Sequence, residues 1–252
     1  MIRRLRDLFG WTIEAADGAD IGTVENFYFD DTRWTVRYLV GNSGSWLVGR
    51  SVLVSPMAFK GLDWERQRIR TDLTRDTVKE SPSADITRPI SRQYEEAYSS
   101  YYGYPHYWSA GGLWGAAQTP VWMPRAAPGS EPLPVGPEDD PEDSHLRSIK
   151  EVSGYHIQAT DGEIGHVDDF LVDDETWSIR YLLLDTSNWI GGRHVLLSPG
   201  WVRSVEWADQ KIHVDMTREK VKDSPEYDPD KLDRDDEDRL YRHYDRSGYW
   251  ES

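Results

Sequence analysis

Residues 21–39 read IGTVENFYFDDTRWTVRYL, and residues 164–182 read IGHVDDFLVDDETWSIRYL. The two stretches align at a constant offset of 143 residues, and the likeness continues downstream to the Ser-Pro pairs that begin at Ser55 and Ser198. A unit of about 75 residues has the size of a small domain rather than of a solenoid repeat. The chain therefore contains two copies of one small domain.

Within each repeat the apolar residues mostly alternate with polar ones, which is typical of β-strands. Residues 34–40 are rich in β-branched and aromatic side chains and predict a strand that follows a turn at Asp30-Asp31. Trp34 and Trp177 begin the corresponding strands, and we expect each to pack against its own repeat. Several short strands in so few residues leave many edges, which a closed barrel removes.

Polar residues after each strand region predict short helices. Thr74 and Ser91 are suited to the N-cap position of two helices after the first repeat. Tyr98 and Tyr101 have counterparts in Tyr241 and Tyr244 at the same offset, so a tyrosine-faced helix is expected after each repeat. The predicted fold class is all-β, with two small six-stranded β-barrels, each followed by short helices.

Composition divides the chain into four predicted segments. They are the first barrel (1–82), a tyrosine-faced helix with an aromatic segment and an acidic, proline-rich linker (83–147), the second barrel (148–225) and an acidic tail helix (226–252). The linker is too poor in apolar residues to bury itself and is expected to be extended.

The overall composition excludes several classes of function. The 252 residues include no cysteine, which excludes disulfides and fits a reducing compartment. No apolar stretch approaches the roughly 20 residues that span a bilayer, so we expect a cytoplasmic protein. The net charge of −16 repels phosphate backbones, so nucleic acid is not an expected partner. Residues 1–81 carry no net charge and residues 149–225 carry −6, so the two repeats should differ in surface charge.

Both repeats carry an Asp-Gly turn, then Ile-Gly-x-Val, a strand that ends in Asp-Asp, an Arg-Tyr-Leu strand and an apolar strand before Ser-Pro. This pattern resembles the PRC-barrel family, named after the cytoplasmic part of the photosynthetic reaction-centre H subunit. The resemblance implies a six-stranded barrel and an interaction role. In the H subunit the barrel caps a membrane complex and influences electron transfer to quinone; in a ribosome-maturation factor a similar barrel docks onto a ribosomal protein. The sequence shows neither the H subunit's membrane helix nor the factor's other domain, so we expect neither role to transfer.

Residues that could carry chemistry have simpler structural interpretations. Asp30-Asp31 and Asp173-Asp174 could bind a hard cation or act as acid and base, but each pair lies in a turn where Asp commonly bonds its own backbone. The seven histidines lack the spacing of metal ligands, and Ser55 has no matched histidine to activate it. No catalytic residue, cofactor or metal is therefore expected.

The most distinctive exposed-type residues are a tryptophan and an arginine that recur in one loop of each repeat. Such residues are enriched at interface hot spots; alternatively, the Trp closes the barrel end and the Arg stacks on it. The candidate interaction residues are Trp46, Arg50, Trp189, Arg193, Tyr101 and Trp108.

The aromatic segment 98–122 allows three interpretations. It packs against the barrels as a clasp, it is exposed and binds proteins, or it lies at a membrane interface.

The sequence thus predicts a non-enzymatic interaction or adaptor module in the cytoplasm. Its partner is an unidentified protein, and pairing of the two barrels within one chain or homo-oligomerisation is also open. The alternative is a membrane-peripheral accessory of photosynthetic or respiratory electron transfer.

Overall fold

A computed structural model describes residues 1–47, 50–84, 86, 89–121, 145–186, 193–228 and 232–251. Trp189 and most of the predicted acidic linker lie outside these residues. No described helix has both the length and the apolar character needed to cross a bilayer.

The described residues of the first repeat form seven strands and two helices. They are β1 (Ile2–Arg4), β2 (Thr12–Glu14), β3 (Asp20–Asp30), β4 (Thr35–Asn42), β5 (Ser51–Val54), β6 (Phe59–Asp63), β7 (Arg68–Thr71), α1 (Arg75–Glu80) and α2 (Arg92–Tyr102). As predicted, Thr74 and Ser91 cap the two helices: their side-chain oxygens accept hydrogen bonds from the backbone N–H groups of Thr77 and Tyr94.

The second repeat has the same order of strands. Its elements are β8 (Leu146–Ser148), α3 (Ile149–Val152), β9 (His156–Ala159), β10 (Gly162–Asp173), β11 (Ile179–Asp185), β12 (His194–Leu197), β13 (Val202–Glu206), β14 (Lys211–Val214), α4 (Arg218–Lys222) and α5 (Arg234–His243). Short 3-10 turns follow β5, β12 and each of the two longer helices.

The strands form two mixed sheets of seven strands each. The first sheet has the order β5-β4-β3-β2-β7-β6, and β8 pairs with the free part of β3; the second has the order β12-β11-β10-β9-β14-β13, and β1 pairs with β10. The pairs β2–β7 and β9–β14 are parallel, and the others are antiparallel. The protein is therefore mostly β with added helices, and the two repeats fold alike.

The turn between β3 and β4 is formed by the side chain of Asp30, as the sequence predicts. One Asp30 oxygen accepts hydrogen bonds from the backbone N–H groups of Thr32 (3.0 Å) and Arg33 (2.8 Å). Trp34 and its counterpart Trp177 follow with positive φ angles of 49° and 58°. This left-handed conformation is uncommon for residues other than glycine and here redirects the chain into the next strand.

The predicted closure of each sheet into a six-stranded barrel is wrong. No ladder among the described residues joins β5 to β6 or β12 to β13, the two end strands of each sheet. At the first of these corners Pro56 has no N–H, and the N–H groups of Met57 and Ala58 bond locally to Ser55. Because the backbone N–H groups of this corner are used within the 3-10 turn, they cannot form the ladder of hydrogen bonds that would join β5 to β6. In addition, each sheet has a seventh strand.

A tyrosine of the following helix covers the edge of β5 instead. The Tyr98 hydroxyl accepts a hydrogen bond from the Ser55 N–H and donates one to the Leu53 carbonyl, both at 3.1 Å. These contacts satisfy backbone groups that a neighbouring strand would otherwise bind. The tyrosine face predicted for this helix therefore protects a sheet edge.

The described chain forms two compact units that combine segments of both repeats. The amino-terminal unit comprises Asp7–Lys150 and Asp174–Ser178, and the carboxy-terminal unit comprises Met1–Arg6, Glu151–Asp173 and Ile179–Ser252. The repeats have thus exchanged their first strands: β1 belongs to the carboxy-terminal unit and β8 to the amino-terminal unit. The segment boundaries predicted from composition did not anticipate this exchange.

The exchange extends to a large aromatic side chain. Trp177 belongs to the amino-terminal unit, where its ring centroid lies 4.9 Å from that of Phe59 and 6.4 Å from that of Phe27. It is 3% exposed. Trp34 stacks on Phe29 at 5.2 Å and is half-buried. Trp177 therefore packs against residues of the first repeat rather than of its own.

Candidate functional site

The loop from Ser43 to Arg50 in the first repeat is closed by a hydrogen bond between its ends. The Ser43 hydroxyl lies 2.7 Å from the carbonyl oxygen of Arg50. In the second repeat the Thr186 hydroxyl donates to the carbonyl of Arg193 at 2.8 Å. We call residues 43–50 and 186–193 the anchored loops.

The arginine of each anchored loop binds the end of the helix that follows the sheet. The Arg50 guanidinium donates to the carbonyl oxygens of Lys79 (3.0 Å) and Ser81 (2.9 Å). Arg193 donates in the same way to Lys222 and Ser224, both at 3.0 Å. The last carbonyls of a helix lack partners within the helix, so a guanidinium satisfies them and complements the helix dipole.

Trp46 fixes the middle of the first anchored loop. Its indole N–H donates to the Ile21 carbonyl at 2.6 Å, and the Arg75 guanidinium lies 5.2 Å from its ring centre. The cation near this ring is therefore Arg75, whereas Arg50 is used at the helix end. Trp189, the counterpart of Trp46, lies outside the described residues. A role of these residues in binding stays a prediction.

The two remaining candidate residues belong to the aromatic segment. Tyr101 is buried, and its hydroxyl donates to the Thr77 carbonyl at 2.8 Å. Trp108 is half-buried, stacks on His106 at 4.6 Å and lies under the Arg92 guanidinium at 4.0 Å. The structure thus places Tyr101 against helix α1 and Trp108 beside helix α2.

A buried carboxylate, Glu95, holds the aromatic segment in the amino-terminal unit. One of its oxygens accepts hydrogen bonds from the hydroxyls of Tyr107 (2.7 Å) and Tyr38 (3.3 Å). The other lies 3.1 Å from Arg92 and 3.0 Å from His145. Burial raises the pKa of Tyr38 and Tyr107 above the ordinary tyrosine value, and the Glu95 charge adds to the rise.

Glu237 occupies the equivalent place in the carboxy-terminal unit. Its carboxylate accepts hydrogen bonds from Tyr181 (2.6 Å) and Tyr249 (2.9 Å), and Arg234 lies 3.0 Å away. Burial is the largest cause that raises the pKa of Tyr181, and the Glu237 carboxylate is the next. The same two causes raise the pKa of Tyr249 to about 12. Trp250 lies under Arg234 at 4.2 Å, as Trp108 lies under Arg92.

These two clusters use their ionisable groups to hold structure. Each carboxylate is bound by two phenols and paired with a guanidinium, and these contacts offset the cost of burying its charge. Among the described residues, no group of three or more His, Asp and Glu side chains has the geometry to hold a metal ion.

A family model for the PRC-barrel domain matches residues 2–78 and 145–221, which is more than half of the chain. The protein belongs to the PRC-barrel domain family. Each PRC-barrel match begins at the exchanged strand, β1 or β8, so the family's sequence unit includes a strand that lies in the other compact unit.

One curated relative is similar to part of this PRC-barrel protein. It is an uncharacterized protein of Deinococcus radiodurans, 39% identical over 66 residues. The alignment covers 26% of this chain and 23% of that protein.

The two carboxylate clusters of the PRC-barrel protein repeat at an offset of 142 residues rather than 143, so the alignment at the constant offset does not reveal them. The pattern Arg-x-x-Glu followed twelve residues later by Tyr-Trp occurs at Arg92 and again at Arg234. A search that allowed one residue of slippage would have found it. The signal was available, but the fixed offset obscured it.

Proposed function

We propose that this protein is a non-enzymatic adaptor of the cytoplasm, in which the two anchored loops contact a protein partner. The observation that carries the proposal is the matched anchoring of the two loops. In both repeats a hydroxyl closes the loop and the arginine binds two carbonyls at a helix end, with distances that agree within 0.1 Å.

Anchoring of this kind favours binding. A loop that is held at both ends loses less conformational entropy when it meets a partner, so more of the contact energy contributes to affinity. In the first loop the fixed residues leave Gly44 and Ser45 exposed at the tip. We infer that the tip makes the contact, while Trp46 and Arg50 hold it in position.

The charges of the two repeats support two distinct contacts. The first repeat carries no net charge and the second carries −6. Electrostatic complementarity governs the choice of partner and the association rate more than the affinity itself. The two loops are therefore proposed to bind different partners, or different surfaces of one partner.

The ionisable groups with unusual surroundings favour a binding role over catalysis. Glu95 and Glu237 are buried, and each carboxylate is already engaged by two phenols and an arginine. Two cavities of the described part of the chain have volumes of about 240 Å³, beside Leu196 and Leu240, and about 350 Å³, an open one beside Trp201 and Arg246, so they lie at or below the small end of the range for organic ligands.

Capture of host proteins on the immobilised full chain tests the proposal. Ser45→Glu changes the exposed loop tip without touching an anchor, so it should reduce recovery of a specific protein about tenfold and leave Tm within a degree or two. Glu65→Lys, on the exposed turn between β6 and β7, is the control and should leave recovery unchanged. Equal recovery with both variants would rule out the first loop. Sedimentation of the intact protein with protein-free vesicles would instead support the membrane-peripheral alternative.

A further inference from the structure

The edge of β10 receives strand β1 through a short antiparallel ladder. Ile2 pairs with Asp173, Arg3 with Val172 and Arg4 with Leu171. Leu5, directly after the strand, is fully buried in the carboxy-terminal unit.

Two aspartates of β10 bind the arginines of the incoming strand. Arg4 lies 3.0 Å from the Asp169 carboxylate, and Arg6 lies 3.0 Å from that of Asp168. The Arg6 backbone N–H also donates to Asp169 at 3.3 Å. Asp169 is 2% exposed, and burial raises its pKa, whereas the Phe170 N–H and Arg4 act against the rise. Without β1, this carboxylate would lose its main cationic neighbour.

The corresponding edge of β3 has different chemistry. Asn26 stands in the place of Asp169; it donates to the Ser148 hydroxyl at 2.8 Å and accepts from the Lys150 N–H at 3.3 Å. Here Arg147 pairs with Asp31 at 2.8 Å. The β10 edge thus fits a strand with several arginines, and the β3 edge fits one with a hydroxyl and a single arginine. The two incoming strands are not interchangeable.

The boundary between the compact units falls between Arg6 and Asp7, so residues 1–6, which include β1, belong to the same compact unit as β10. The same contacts form whichever chain supplies those residues, which is the condition for low-cost strand exchange between copies. We propose that the β10 edge accepts β1 from a second copy of this chain, giving a strand-exchanged assembly. The proposal concerns self-association and is independent of the adaptor role.

Within one chain, β1 is present at the high effective concentration set by its covalent connection, and this favours the intramolecular pairing. Exchange between copies should therefore be detected most easily when one chain has an empty acceptor edge and another has a donor strand that its own edge rejects. Two variants create this situation. A chain that lacks residues 1–6 has the acceptor edge alone. Asp168→Lys places a cation beside Arg4 and Arg6 and disfavours its own β1, while leaving that strand intact.

An equimolar mixture of the two variants tests the proposal by size-exclusion chromatography with light scattering. We expect a 1:1 heterodimer that is at least about tenfold more abundant than the dimer of either variant alone. Its abundance should fall in 1 M NaCl, because the partly exposed Asp168 pairs are screened. Monomers alone, at concentrations where both variants are folded, would overturn the proposal.

A second measurement covers the case in which the shortened chain does not fold by itself. A peptide of residues 1–9, MIRRLRDLF, should restore its melting transition, whereas a peptide of residues 145–153, HLRSIKEVS, should not. Restoration by the first peptide alone supports the selectivity derived above. Failure of the first peptide, or equal restoration by both, would contradict it.

Discussion

Glu95 and Glu237 occupy the same place in the two repeats, but their surroundings differ. Both accept hydrogen bonds from two tyrosines and pair with an arginine three residues earlier. Among the residues that the structure describes, Glu95 has a further partner, His145, which precedes the exchanged strand β8. The amino-terminal unit therefore ties its carboxylate cluster to a segment of the second repeat.

The arginine before each strand tyrosine shows the same contrast. Arg37 is fully buried, pairs with Asp30 and lies between the rings of Tyr107 (3.8 Å) and Trp114 (4.8 Å). Its counterpart Arg180 pairs with Asp173 at 3.1 Å and lies over Tyr249, but it retains partial exposure. The same Arg-Tyr motif is thus buried to different extents in the two repeats, because different segments cover it. The aromatic segment covers Arg37 more completely than the tail covers Arg180.

Of the predicted differences in stability between the two units, the one at alkaline pH should be the largest. Burial raises the pKa of seven tyrosines in the amino-terminal unit and of four in the carboxy-terminal unit; the seven are Tyr38, Tyr94, Tyr98, Tyr101, Tyr102, Tyr104 and Tyr107, and the four are Tyr181, Tyr241, Tyr244 and Tyr249. A raised folded-state pKa stabilises the fold fully below the unfolded pKa, near 10, and this stability is lost as pH rises toward the folded value. At pH 11 each fully buried tyrosine therefore lowers the free energy of unfolding by about 1.4 kcal/mol, because the phenol can ionise in the unfolded chain but not in the folded one.

We therefore expect the amino-terminal unit to open first between pH 10 and 12. Absorbance of tyrosinate at alkaline pH, combined with proteolysis at each pH, would identify the unit that opens. Simultaneous opening would show that the two units unfold together and would remove this difference between them.

Trp177→Ala should destabilise the amino-terminal unit by about 3–5 kcal/mol, because the ring is buried between Phe27 and Phe59. Trp34→Ala is the matched control, and its cost should be smaller because that ring is half-buried. Chemical denaturation gives the two free energies, and hydrogen exchange locates the loss. Faster exchange confined to β10 and β11 after Trp177→Ala would place the ring in the other unit.

Glu95→Gln should cost more than Glu237→Gln. Both substitutions leave hydrogen-bonding atoms but remove a buried charge from its arginine, at a cost of about 1–3 kcal/mol each. The additional contact with His145 makes the loss larger at Glu95. Urea denaturation of the two variants at neutral pH provides the comparison, and an equal loss would mean that His145 contributes nothing.

The smallest effects should come from the anchored loops. Arg50→Ala and Arg193→Ala each remove two hydrogen bonds at a partly exposed helix end, so each should lower the free energy of unfolding by about 0.5–2 kcal/mol. Because the anchors match, the two losses should agree. Thermal denaturation of the single variants tests this, and a clear difference would show that the anchors are not equivalent.

The strands, the Asp30 turn and the caps at Thr74 and Ser91 could be predicted because each depends on residues close together in the chain. Alternation marks a strand, and a side-chain oxygen marks a turn or a helix start, without knowledge of the tertiary structure. The anchored loops were found for the same reason, although the helix-end contacts of Arg50 and Arg193 span about 30 residues and could not be read from spacing.

The strand exchange could not be predicted because the two repeats offer the same local pattern. β1 and β8 are each three residues long, and either could extend the sheet of either repeat. The choice depends on particular side chains at the receiving edge, such as Asp169 against Asn26, together with the path of the intervening chain. Similarly, the 3-10 turn at Pro56 that interrupts the expected barrel satisfies its polar groups through contacts that no periodicity reveals.

The position of β8 also has a consequence for synthesis. The edge of β3 at Tyr28–Asp30 receives its partner only after residues 146–148 have been made, and Trp177 follows later still. At about 5–20 residues per second, the roughly 95 residues from the end of the first repeat to Trp177 take about 5 to 20 seconds to translate. Until residues 146–148 appear, about 65 residues after the end of the first repeat, the nascent first repeat carries an unfilled strand edge, which neighbouring nascent chains on one messenger could fill. The amino-terminal unit therefore completes its fold only after Asp174–Ser178 have been made, although most of its sequence is made much earlier.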